Sequence, residues 1–180
     1  MQIRETPIAG LKIIEPTVFR DSRGYFFENF RSSYFSDMDL DVSFVQENES
    51  KSNKGVLRGL HLQSPPYGQT KLIRVVSGAI LDVAVDMRKA SPSFGQHFSL
   101  ELNEENKISF FVPEGFAHGF YCLEDNTIVQ YKCSSYYHKA SEVGILWSDP
   151  HINVIWPSGD RIVSEKDEIL PNFKSFNSPY

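Results

Sequence analysis

Short apolar stretches alternate with polar positions along most of this chain and are broken by turn residues. Side chains on a strand point alternately to two faces, so such stretches read as half-buried strands. Residues 11–18 alternate weakly and end at the turn signal Phe19-Arg20-Asp21-Ser22-Arg23-Gly24. An aromatic strand follows over 25–30, with Glu28 inside it. Ser32 or Ser33 would cap a short helix over 32–38. The pattern over 42–49 predicts a strand with Gln46 and Asn48 on one face. The clearest hairpin joins 71–76 to 79–86 through Ser77-Gly78. Strands are expected at 98–102 and 107–112, then 120–123, 127–134 and 143–147. Beyond Pro150 the pattern fades into loops, and no repeat interrupts the chain. The sum is an all-β fold with a few short helices, a β-sandwich or barrel with the jelly roll among the options, over residues 1–180 as a single domain.

Composition narrows the partners. The formal net charge is −5, and no basic stripe is present, so nucleic acid is not an expected partner. A local Arg/Lys cluster can still hold an anionic small molecule against that global charge. Two cysteines, Cys122 and Cys133, read as reduced, buried thiols rather than a disulfide framework. No apolar segment follows Met1, and no apolar run is long enough to span a bilayer. The expectation is a soluble cytoplasmic protein with no membrane partner.

The segment Lys54-Gly55-Val56-Leu57-Arg58-Gly59-Leu60-His61-Leu62-Gln63 carries the most chemistry. Strict alternation would put Arg58, Leu60 and Leu62 on one face and Gly59, His61 and Gln63 on the other. Burying such polar groups costs free energy unless each finds a partner, so a strand that only fills a core would not carry them. Arg58, Gln63 and nearby Lys71 favour a functional reading of His61. Pro113-Glu114-Gly115-Phe116-Ala117-His118-Gly119-Phe120 reads as a Gly-rich turn, with His118 either simply exposed or binding a ligand. Tyr131 and Tyr137 could present a phenol as proton donor or stacking plate, although tyrosine on a strand is usually packing. A metal site is not expected, because His61-Leu62-Gln63 has an amide where a second imidazole is needed, and His97, His138 and His151 lack companions at ligand spacing. Neither a phosphate-binding glycine loop nor a nucleophile elbow is present.

Taken in order, these segments resemble the dTDP-4-dehydrorhamnose 3,5-epimerases, metal-free jelly rolls of the cupin type. The resemblance runs from Phe19-Arg20-Asp21-Ser22-Arg23-Gly24-Tyr25-Phe26-Phe27-Glu28 through Gln46-Glu47-Asn48, the Arg58/His61 segment and Gln69-Thr70-Lys71-Leu72. It continues through Asp82-Val83-Ala84-Val85-Asp86-Met87-Arg88, Pro113 to Phe120, Tyr131-Lys132-Cys133 and Ser164-Glu165-Lys166-Asp167. It implies that His61 is a base paired with Asp167, that Tyr131 is the proton donor, and that Lys71 lies near a sugar keto oxygen. It further implies that Arg23, Phe26, Glu28, Gln46, Asn48, Arg58, His118, Glu142 and Lys166 contact a nucleotide sugar, and that Tyr137 stacks on the base. Glu47, Glu49 and Leu62 depart from residues frequent in the family.

The implied substrate is a nucleoside-diphosphate 4-keto-6-deoxysugar, and the implied assembly is a homodimer with shared N-terminal strands. A proton beside a ketone can be removed because its charge spreads onto oxygen as an enolate. No cofactor is then required. Inversion needs reprotonation from the opposite face, hence a second group such as Tyr131. The resemblance leaves open C3-only epimerisation or another nucleotide such as a CDP-linked sugar. A catalytically silent sugar-binding jelly roll is the reading from a different class.

Overall fold

The computed structural model describes residues 1–36, 40 and 42–180. Its strands in chain order are β1 (Gln2–Glu5), β2 (Lys12–Glu15), β3 (Phe19–Asp21), β4 (Gly24–Phe26), β5 (Gln46–Ser52), β6 (Leu57–Gln63), β7 (Lys71–Ser77), β8 (Ala79–Asp86), β9 (His97–Asn103), β10 (Ser109–Val112), β11 (Phe116–Cys122), β12 (Thr127–Cys133) and β13 (Glu142–Gly144). Helices α1 (Ser32–Ser36) and α2 (Glu165–Glu168) are each about one turn long. The all-β expectation with a few short helices holds. Among the described residues, no helix is long and apolar enough to cross a membrane.

Two antiparallel sheets face each other as a jelly-roll sandwich. One runs β1-β2-β10-β7-β12-β5, the other β13-β6-β11-β8-β9, and β3 pairs separately with β4. The main core lies between them. Ile73, Val75, Phe110 and Val129 come from the first sheet, and Ile80, Ala84, Phe116 and Phe120 from the second. The other face of the five-stranded sheet is also covered. Leu57, Leu60, Val83, Val85 and Tyr121 pack there against Ile145, Ile152 and Trp156 of the C-terminal segment. Burial on both faces explains why β8 and β11 read as nearly continuous apolar runs. Each fully buried Leu, Ile or Phe contributes about 1.5–3 kcal/mol.

Strands were legible, but their pairing was not. The expected hairpin over 71–86 does not form: β7 pairs with β10 and β12, while β8 pairs with β11 and β9. Ser77-Gly78 is a corner at which the chain changes sheets. Gly78 has φ +78°, and a side chain there would collide with Thr127. The strands β9 and β10 likewise part into different sheets.

The turn signal at 19–24 is itself a hairpin, closed at Gly24 with φ +126°, so the predicted 25–30 strand shrinks to β4. Helix α1 ends at Ser36, and residues 37 and 38 of the predicted helix lie outside those described. The strand expected at 42–49 is shifted to β5. The Gly-rich turn stops at Gly115, where φ is +85°, and β11 begins at Phe116 with every residue buried. His118 is therefore a strand residue and not part of an exposed turn. Cys122 and Cys133 are both free and buried.

Candidate active site

The sandwich carries a cluster of polar side chains between its sheets. In β7 and β12 the inward rows contain Lys71 with Ile73 and Val75, and Tyr131 with Val129 and Cys133. In β5 the inward row is polar throughout, Gln46, Asn48, Ser50 and Ser52, while Glu47, Glu49 and Lys51 face outward. Two adjoining cavities of about 500 and about 480 Å³ share Arg58, His61, Lys71 and Tyr131 in their walls. His118 and Asp167 line the first, and Gln46, Asn48, Tyr137 and Glu142 the second.

Arg58 and His61 face the same cavities, contrary to strict alternation. The strand β6 has an irregularity: His61 lies opposite His118 and Arg58 opposite Phe120, so two residues of β6 face one of β11. That extra residue turns Arg58 toward His61. Gly59 permits it with φ +126°, and an added Cβ would meet the Gly119 Cα at 2.6 Å.

His61 Nε2 lies 2.7 Å from Asp167 Oδ1. The second oxygen of Asp167 accepts the Gly59 N–H at 3.2 Å. Helix α2 holds Asp167 in place, because the Ser164 hydroxyl caps it by accepting the Asp167 N–H. Burial alone would raise the Asp167 carboxyl. The His61 bond, the Gly59 N–H and the Lys166 charge outweigh burial and hold it below the usual carboxylate range. An ionised Asp167 fixes the His61 tautomer and leaves Nδ1 free.

Tyr131 is pushed up chiefly by burial, so its phenol stays protonated at neutral pH; the neighbouring Cys133 adds to the shift, while Asn48 and Arg58 oppose it. Lys71 is lowered by burial, while Cys133, Asp82 and Glu142 pull the other way. An imidazole, a protonated phenol and an amine thus surround one space. Arg58 binds Ser52 Oγ through Nε and a terminal nitrogen, at 3.3 and 3.2 Å. At the rim Glu142 accepts from Lys166 at 2.6 Å and from Tyr137 at 2.7 Å, and its Oε1 is 4.0 Å from His61 Nδ1. Gln46 contacts Asn48 and accepts the Tyr137 N–H. Among the described residues, no three His, Cys, Asp or Glu side chains converge as metal ligands would.

Three expected residues lie elsewhere. Arg23 pairs with Asp21, Phe26 is 70% exposed beside it, and Glu28 pairs with Arg31. None lines these cavities. Reading the residues missed Asp82, which is fully buried and 2.6 Å from His118 Nε2. Its signal was an acid inside the apolar run of β8. Ser164 was missed as a cap, although a serine three residues before an acid is a helix-start pattern.

Fold and site together define a class, a jelly-roll protein with a histidine–aspartate pair, a tyrosine and a lysine gathered around one cavity. The family model for dTDP-4-dehydrorhamnose 3,5-epimerase matches residues 5–175. The enzyme of that name from Shigella flexneri is 49% identical over 168 residues, 93% of each chain. The one from Methanothermobacter thermautotrophicus is 51% identical over 167 residues, 91% of this chain and 89% of its own. A Legionella pneumophila epimerase solved with dTDP-4-keto-L-rhamnose superposes with a TM-score of 0.94 at 44% identity, covering 98% of this chain and 94% of that one. The chain belongs to the dTDP-4-dehydrorhamnose 3,5-epimerase family and is an isomerase.

Proposed function

We propose that this enzyme inverts C3 and C5 of dTDP-4-keto-6-deoxy-D-glucose to give dTDP-4-dehydro-L-rhamnose. One observation carries the reading: His61, bonded at 2.7 Å to buried Asp167, shares a cavity with Tyr131 and Lys71. His61 takes the proton beside the ketone through Nδ1, and Asp167 stabilises the imidazolium. Charge moves to the keto oxygen, where Lys71 stabilises the enolate. Tyr131 returns a proton on the opposite face. Arg58, His118 and Lys166 hold the diphosphate. Gln46, Asn48, Tyr137 and Glu142 serve the sugar and base. The ketone supplies the activation, so no cofactor enters.

The functional unit in this reading is a cytoplasmic homodimer of a single-domain chain. Its support is the exposed β3–β4 hairpin, with Phe19, Tyr25 and Phe26 at 62, 52 and 70% exposure. Docked on a second copy, it would bury those rings and bring Arg23, Phe26 and Glu28 to the neighbour's cavity. Sedimentation as a monomer would refute the dimer.

The activity is tested by NMR in D₂O with dTDP-4-keto-6-deoxy-D-glucose. Deuterium entering at both C3 and C5 supports the 3,5-epimerase. Entry at C3 alone would make the enzyme a mono-epimerase, and entry at neither would overturn the reading.

A further inference from the structure

Inversion from opposite faces leaves the enzyme changed. His61 ends with one proton too many and Tyr131 with one too few. Neither can act again until both are reset. Two inversions on one bound sugar require that reset while the cavity is still occupied. We propose that Glu142 is the proton outlet of His61, taking the proton from Nδ1 between inversions and passing it to water. This rests on the epimerase reading above.

The geometry leaves few other routes. Nε2 is committed to Asp167, whose side chain is only 5% exposed and whose other oxygen is filled by Gly59. Nδ1 points the other way, and Glu142 Oε1, which accepts from Lys166 at 2.6 Å and keeps a second lone pair, lies 4.0 Å from it. That gap is too long for a hydrogen bond, but a small side-chain rotation or one bridging water closes it. Glu142 is 17% exposed, and its partner Lys166 is 56% exposed, so the carboxylate links the inner imidazole to the rim. The titratable and charged groups around Glu142 are His61, Lys166 and Tyr137 in contact, with Lys71 and Tyr131 within reach of its charge across the cavity.

The step balances without a co-reactant other than water. The Nδ1–H bond of the imidazolium breaks and an H–Oε1 bond forms, leaving neutral imidazole and neutral carboxylic acid. The acid gives its proton to water, and the Tyr131 phenolate takes one from water. Charge and protons are restored.

The test compares Glu142→Gln, Glu142→Asp and Lys166→Met with wild type on the same dTDP-sugar in D₂O. Glu142→Gln keeps an acceptor for Tyr137 but cannot carry the proton. We expect its first exchange event to survive while steady turnover in dilute buffer falls about 10²-fold, the lower end of the range for a lost proton-transfer group. More sugar should leave with only one of the two carbons inverted. Adding imidazole as a diffusible base should restore turnover in proportion to its concentration. Glu142→Asp should recover most of the rate. Lys166→Met breaks the ion pair but keeps the carboxylate, so its exchange should not depend on buffer, whatever its KM.

Wild-type behaviour in Glu142→Gln overturns the proposal, as does a defect that no buffer relieves or equal buffer dependence in Lys166→Met. Exchange at neither carbon in wild type would instead overturn the epimerase reading, and this inference with it.

Discussion

Two histidine–carboxylate pairs stand side by side in this molecule. His61 and His118 are cross-strand neighbours on β6 and β11, each about the same distance from an acid, at 2.7 Å from Asp167 and 2.6 Å from Asp82. Their surroundings differ. The His61 side chain is 22% exposed, and its acid sits on a short terminal helix with both oxygens bonded. His118 is 8% exposed, and its acid is sealed inside β8, where Oδ2 has no partner among the described residues. The same pair of side chains therefore serves two ends. In the proposed mechanism the open ring nitrogen of His61 over a cavity is the base, and the closed His118–Asp82 pair is a rigid wall that presents one imidazole edge to the ligand.

The largest test of that contrast is removal of the base. His61→Ala, and separately Tyr131→Phe, should lower kcat by about 10²–10⁴-fold, with dTDP binding by calorimetry and the fold retained. His118→Ala should act differently, because it leaves the buried Asp82 Oδ1 without its imidazole partner. The expected loss is about 1–3 kcal/mol of stability by urea unfolding, with a raised KM in the folded fraction. Equal kcat losses at unchanged stability would erase the distinction between the pairs. Asp167→Asn sharpens it. The amide can offer N–H to Nε2 and hold the wrong tautomer, so kcat should fall about 10- to 100-fold, the range for residues that orient a histidine. No change in kcat would mean that Asp167 serves only the fold.

Much of this contrast was legible in residues, and little of it in pairing. Alternation located β6, β7, β8 and β12, because each carries an apolar row packed into a core, that of β6 against the C-terminal segment. It placed β7 and β8 in one hairpin, because a two-residue Ser-Gly link is a local signal while sheet choice depends on distant strands. It put Arg58 and His61 on opposite faces, because an inserted residue in a strand leaves no mark except a glycine. Asp167 lies more than a hundred residues from His61, so periodicity alone could not join them; ordered resemblance did. Asp82 went unread as a partner of His118 because a buried acid in an apolar run points to some partner without saying which.

A third buried acid gives the smallest and finest test. Asp86 follows Asp82 on β8 and is equally inaccessible. Unlike Asp82 it is fully satisfied. Arg88 donates to both oxygens through Nε and a terminal nitrogen, and Ser91 and Ser93 add hydroxyl bonds at 2.6 and 2.7 Å. Burial pushes its carboxyl up, but Arg88, Ser91 and Ser93 outweigh burial and bring it down to about 2. A carboxyl lower in the folded than in the unfolded chain stabilises the fold when ionised. Its contribution is full above the unfolded value of about 3.9 and is lost as pH falls toward the folded one. Between pH 4 and pH 3 this one group should remove about 1 kcal/mol of stability. Asp86→Asn should flatten the urea-unfolding profile by that amount in that window, with kcat at neutral pH unchanged. A profile as steep as wild type would mean that the acid sensitivity lies with other carboxylates, and that a filled set of hydrogen bonds is not what separates Asp86 from Asp82.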